Sequence, residues 1–184
     1  MKIPSHDGKS EYIEKRSRFI GAVKYIENEN DAKEFIASVK RQYHDARHNC
    51  WCYIIDGKAE RYSDDGEPQG TAGIPMLEVL KREGVSNAVI VVTRYFGGIL
   101  LGAGGLLRAY TKCAKDALVD SEPKDVIEMK PIEFDCDYSD FETIKNALLS
   151  FNGEISEISY GAKIHIAAKM PETENFEKKF LWKK

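Results

Sequence analysis

Cysteine is scarce in this 184-residue chain, with four residues at Cys50, Cys52, Cys113 and Cys136. Four scattered thiols exclude a disulfide framework and point to free cysteines. No apolar run approaches the roughly 20 residues of a membrane span. The opening stretch "MKIPSHDGKSEYIEKRSRF" lacks the apolar core of a secretion signal. The expectation is a cytoplasmic protein with no membrane partner. A strong charge of either sign is also missing, since 27 basic residues face 30 acidic ones for a net charge of −3. Such a balance gives no field for non-specific nucleic-acid binding, and no sequence-specific DNA binding is expected. Arginine is absent after position 108: all eight lie at Arg16, Arg18, Arg41, Arg47, Arg61, Arg82, Arg94 and Arg108. Arginine grips anions bidentately, so an anion receptor belongs in the first part of the chain.

Several sharp motifs are missing as well. The P-loop pattern fails because Ala103-Gly104 follows Gly102, and GxGxxG fails because Leu107 stands where its last glycine belongs. There is no GxSxG nucleophile elbow and no EF-hand spacing.

What is present is a two-part pattern. Residues 12–26 read as extended. Asn30 reads as the cap of a helix to Tyr43, with Ala32, Phe35, Ile36 and Val39 on the helical period. Residues 49–56 and 59–63 read as two strands around an Asp-Gly turn. Pro75 opens a helix that stops at Gly84, and "NAVIVVT" is a buried strand. Leu106, Leu107, Tyr110, Ala114, Ala117 and Leu118 make the apolar stripe of the next helix. "SEPKD" (residues 121–125) is the joint, giving domains 1–122 and 128–184. The second reads β-α-β-β-α, with a capping box at Ser139 to Glu142 and a last helix opened by Pro171. It is one strand short of a ferredoxin-like unit, so its end reads as truncated or altered.

Three stretches carry candidate chemistry. "VVTRYFGGILLGAGGLLRAY" (residues 91–110) leads a buried strand through five glycines into a helix. Free N–H groups at a helix start favour an anion, with Arg94, Tyr95, Gly97, Gly98, Gly102, Gly104, Gly105 and Arg108 as its candidate receptors. A tight strand-to-helix turn explains the same glycines. "SDDGEPQGTAG" places Asp64, Asp65 and Glu67 close together, with Thr71 behind them. These carboxylates can hold the arginines, bind a divalent metal at Asp64 and Asp65, or line a solvated loop. No other cofactor is expected. In "HDARHNCWC", residues His48, Cys50, Cys52 and Ile54 share one strand face. The cysteines then belong to the core, and His48 stands at a cleft. A zinc site and a Cys50 nucleophile beside His48 are the weaker options there.

Together, "RHNCWCYII", "SDDGEPQGTAGIP" and "VVTRYFGGILLGAGGLLRAY" resemble the IMPACT family in its bacterial YigZ-type form. The resemblance implies a two-domain α/β (α+β) chain. Its first domain is a ribosomal-protein-like α/β sandwich with a left-handed βαβ crossover, and a small ferredoxin-like domain follows. Eukaryotic members dampen a starvation signal to translation by competing for a kinase activator. The function implied here is a non-enzymatic binding protein linked to translation or RNA, with RNA, the ribosome or a protein as partner. Tyr95, Phe96 and Tyr110 are available for base stacking. The alternative is a phosphate- or nucleotide-binding enzyme using the Asp64, Asp65 and Glu67 loop with the glycines of residues 97–105. No catalytic residues come with the family.

Overall fold

The N-terminal segment folds into a hairpin rather than one extended stretch. In the computed structural model, which describes residues 1–127 and 129–171, a short β1 (Lys2–Ile3) precedes β2 (Gly8–Glu14) and β3 (Ser17–Tyr25). The chain reverses at Lys15 and Arg16, with φ of 45° and 67°. Positive φ at both positions marks a two-residue loop of type I′. Neither side chain is one that usually marks such a turn.

The helix α1 (Glu29–Gln42) buries Ala32, Ile36 and Val39. Its cap is Asn28, not Asn30. The Asn28 Oδ1 accepts from the N–H groups of Asn30 at 2.9 Å and Asp31 at 3.1 Å. Capping requires an extended backbone, which Asn28 has (φ −150°, ψ 174°). Then come β4 (His48–Ile55), β5 (Ala59–Ser63), α2 (Gly73–Glu83), β6 (Ala88–Tyr95), α3 (Gly102–Asp120) and β7 (Lys124–Asp125). The five long strands form one sheet in the order β2-β3-β6-β4-β5 with every neighbouring pair antiparallel. Strands β3 and β4 therefore run the same way on either side of β6, and α1 carries the chain across that central strand.

Strand β6 is buried on both faces, as its unbroken apolar run requires. Ala88, Ile90 and Val92 pack with Cys50, Cys52 and Ile54 in the core shared with α2 and α3. Val89 and Val91 pack with Tyr53 and Ile55 in the core shared with α1. Helix α3 buries Leu106, Ala109, Tyr110, Cys113, Ala114, Ala117 and Leu118. Leu107, expected in that stripe, is 45% exposed, because the buried face is centred on the line through residues 106, 110, 113 and 117. Strand β7 pairs with β1 and closes the first compact unit, Met1–Val126.

The second unit, Ile127–Lys184, holds β8 (Met129–Cys136), α4 (Phe141–Ser150), β9 (Glu154–Tyr160) and β10 (Ile164–Pro171). The sheet order is β8-β10-β9, antiparallel throughout. Ile164, Ile166, Ala168 and Met170 pack against Ala147 and Leu148 of α4. The expected capping box does not form. The cap residue is Asp140 in a helical conformation, and no side chain caps the helix. Pro171 ends β10 opposite Met129, and the helix expected beyond it lies outside the described residues. No helix among the described residues is long and apolar enough to cross a membrane.

Candidate functional site

Strand register assembles the centre of the site. Arg94 lies opposite Phe19 of β3 on one side and opposite His48 of β4 on the other. Residues directly opposite each other point to the same face. Three strands thus align Phe19, Arg94 and His48 in one row on the face covered by α2 and α3. Arg94 is only 5% exposed, so it needs a partner. Glu67, from the β5–α2 loop, supplies one: its Oε1 accepts from Arg94 Nη1 at 2.7 Å and from the Tyr110 hydroxyl at 2.8 Å. Arg94 Nη2 donates to Ser17 Oγ at 3.3 Å, and the guanidinium lies 5.5 Å from the Phe19 ring centre. Its Nε is buried with no hydrogen-bond partner among the described residues.

The acidic loop is built around its own carboxylates. Asp64 accepts from the N–H groups of Gly70 at 2.8 Å, Ala72 at 3.1 Å and Gly73 at 2.8 Å. It thereby caps α2 from eight residues upstream of the usual position, since no side chain at the helix boundary does so. Asp65 takes Lys40 Nζ and the Asn49 N–H on its two oxygens, each at 2.7 Å. The Asp65 carbonyl faces His48 Nδ1 at 2.9 Å. A carbonyl can only accept, so that ring nitrogen carries the proton. His48 Nε2 is left 3.9 Å from Glu67 Oε1. Thr71 ties the loop internally, its hydroxyl donating to the Pro68 carbonyl at 2.6 Å. Sequence alone suggested that the three carboxylates hold both arginines. Only Glu67 touches Arg94, and none of the three touches Arg108.

The residues 97–105 are not one loop. The loop is residues 96–101, and α3 begins at Gly102. Gly102 has φ of 70°, a conformation that favours glycine. Gly97 packs so closely on the backbone of Arg16 and Ser17 that a Cβ there would collide with it. Its N–H donates to Ser17 Oγ at 3.2 Å. Close packing thus explains Gly97, and the turn into α3 explains Gly102. No side chain caps the start of α3.

A cavity of about 350 Å³ opens between this helix start, the sheet end and the acidic loop. Its polar walls are Arg47, His48, Glu67 and Arg94, and its apolar walls are Pro68, Phe96, Leu100, Leu101, Ala103 and Leu106. Gly66 and Gly102 complete it. Of the candidates, His48, Arg94, Gly102 and Glu67 meet there. Tyr95, Gly97, Gly98, Gly104, Gly105 and Arg108 do not line it. The Tyr95 hydroxyl donates to Asp45 Oδ1 at 2.7 Å. Arg108 is exposed, its guanidinium beside Gly104. Tyr110 is fully buried and unavailable for stacking.

Arg47 was not singled out in advance. It is exposed, has no ion pair among the described residues, and lies 5.9 Å from the Phe96 ring centre. Its place directly before His48 is the signal that could have found it. Ser17 left no signal in the sequence.

The thiols belong to the interior. Cys50 Sγ donates to the Asp64 carbonyl at 3.0 Å, and burial pushes its thiol well up, with only the Tyr110 hydrogen bond opposing. Cys52 is shifted the same way by burial, and Cys113 is pushed up to about 11. Cys50 therefore keeps its proton, donated to the Asp64 carbonyl, and does not fit the role of a nucleophile. Among the described residues no cluster of three or more His, Cys, Asp or Glu side chains could hold a metal ion. All four cysteines are free and buried. The folded protein is expected to show no fast reaction with a disulfide reagent at pH 8 and four equivalents once unfolded. One equivalent released within seconds from the native state would show a thiolate that this packing does not allow.

Against known proteins, the Impact N-terminal domain family matches residues 15–118, and a domain of unknown function (DUF1949) matches residues 134–180. IMPACT family member YvyE of Bacillus subtilis (strain 168) is 39% identical over 169 residues, covering 91% of this chain and 78% of that protein. IMPACT family member YigZ of Escherichia coli (strain K12) is 36% identical over 161 residues, covering 85% and 79%. A crystal structure described as that of a hypothetical protein is 34% identical, covers 97% of this chain and 89% of its own, and superposes with a TM-score of 0.67. The two domain matches fall on the two folded units, the first of them spans the whole cleft, and the chain belongs to the IMPACT family.

Proposed function

We propose that this protein is a cytoplasmic, non-enzymatic receptor linked to translation, and that the cleft of its first unit takes an anionic group from a component of the translation apparatus. One observation carries the anion: the uncapped start of α3 and two arginines line one cavity. Arg47 is exposed with no ion pair among the described residues, and Arg94 has a buried Nε with no partner among them. Free amides at a helix start carry about half a positive charge. The translation link comes from the family resemblance alone.

An enzyme that binds phosphate or a nucleotide would need a carboxylate free for a metal or a proton. Asp64 holds three backbone amides, Asp65 a lysine and an amide, and Glu67 an arginine and a tyrosine. That occupancy favours the receptor. Co-sedimentation with ribosomes at low salt tests the proposal. The wild-type chain is expected in the ribosomal pellet, and Arg47→Glu, on an exposed side chain, in the supernatant. A wild-type chain that stays in the supernatant at the lowest salt removes the ribosome from the account.

A further inference from the structure

The walls of the cavity say which anion it suits. Its formal charges are Arg47 and Arg94 against Glu67, one net positive charge before His48 and the helix start are counted. That total matches a monoanion. A phosphomonoester would bring close to two negative charges beside a Glu67 side chain that is 3% exposed and cannot turn away.

The apolar walls narrow the choice further. The Phe96 ring already carries two guanidinium groups, Arg47 at 5.9 Å and Arg94 at 5.6 Å. A base would have to displace a cation to stack on it. Tyr110 is sealed in the core. The rest of the apolar wall is aliphatic: Pro68, Ala103 and the larger Leu100, Leu101 and Leu106. Leu100 is 83% exposed, and its chain neighbour Ile99 is 41% exposed. A volume near 350 Å³ is at the small end of ligand pockets and takes a chain end rather than a folded surface. Residues 1–122 carry 18 basic and 18 acidic side chains, so no polyanion is drawn in by the domain as a whole.

Resting on the anion-receptor reading, we propose that the cleft captures the free C-terminal carboxylate of a peptide whose last residue is a large aliphatic one. The carboxylate sits on the α3 amides and Arg47, and the last side chain lies against Leu100, Leu101 and Leu106. This is the known mode in which backbone donors capture a chain terminus.

The test is an NMR titration of the full-length ¹⁵N-labelled chain, read at the amides of Gly102, Ala103 and Gly104. Four probes are compared: N-acetyl-Leu-Leu with a free carboxylate, its C-terminal amide, acetate, and a uridine trinucleotide. The free acid is expected to bind at least about tenfold more tightly than the amide and than acetate, and Arg47→Glu to abolish the difference. Equal binding of acid and amide overturns the inference. If acetate still shifts the amides in that case, the anion cleft stands and only its occupant is wrong. If no anion shifts them, both fall. Tighter binding of the trinucleotide than of the free acid also overturns the inference and makes the cleft an RNA site.

Discussion

Glu67→Ala is expected to lower the unfolding free energy of the first unit by about 3–5 kcal/mol, the usual result of removing one partner from a buried ion pair. The size follows from what stays behind. Arg94 starts 5% exposed, anchored mid-row between Phe19 and His48, with Ser17 Oγ as the only other hydrogen-bond partner of its side chain among the described residues. The Tyr110 hydroxyl loses its acceptor as well. Glu67→Gln keeps an acceptor for Tyr110 and loses the charge, so its cost falls between. Replacing both Glu67 and Arg94 by methionine is expected to recover much of the loss, because no charge is then stranded. Hydrogen exchange at the β6 amides reports the first unit by itself. A Glu67→Ala loss below about 1 kcal/mol, in the range of an exposed pair, would show that Arg94 finds water or another partner, and that the floor of the cleft is not held by this pair.

Asp64→Ala has the next largest expected effect. It removes one acceptor group from three amides, two of which, Ala72 and Gly73, open α2 in a buried setting. Each buried amide left unsatisfied costs about 1–3 kcal/mol, so the total is expected to reach at least about 2 kcal/mol. Asp64→Asn retains one carbonyl oxygen, enough for the pair on Oδ1, and is expected to recover more than half of that. Urea titration followed by circular dichroism measures both. Equal losses for the two variants would mean that the charge matters and the geometry of the cap does not. Because the same loop presents Glu67 and Pro68 to the cavity, Asp64→Ala is also expected to weaken any anion binding.

How much of this was legible in the sequence depends on the range of the interaction. Local periodicity was enough for α1, α2, β4, β5 and β6. It was also enough to place Cys50 and Cys52 in the core with His48 at its edge, because alternation on a strand is a local rule. The Lys15–Arg16 turn was not legible, since its positive φ values are imposed by the pairing of β2 with β3. The cap at Asn28 rather than Asn30 turned on backbone angles that two similar residues do not reveal. The family resemblance supplied the architecture that periodicity could not. In the cleft, motif proximity put Asp64, Asp65, Arg94 and Arg108 into one cluster. Three-dimensional register kept Arg94 with Glu67, sent both aspartates to backbone amides and left Arg108 on the outer side of α3. Arg47 entered from the bend directly before β4, next in the chain to the row that strand order sets.

Strand order also governs how this sheet comes into being. The central strand β6 is among the last pieces of the first unit to be made, beginning only at Ala88 where β5 ends at Ser63. Until it emerges, the β2–β3 and β4–β5 hairpins are separate two-stranded ribbons, each marginal by itself and each with a bare inner edge open to mispairing. Insertion of residues 88–95 welds both halves at once, and α3 then seals the face. The nascent chain therefore gains its stability in one late step, and synthesis that stops before residue 95 leaves a sticky fragment in place of a partly built domain.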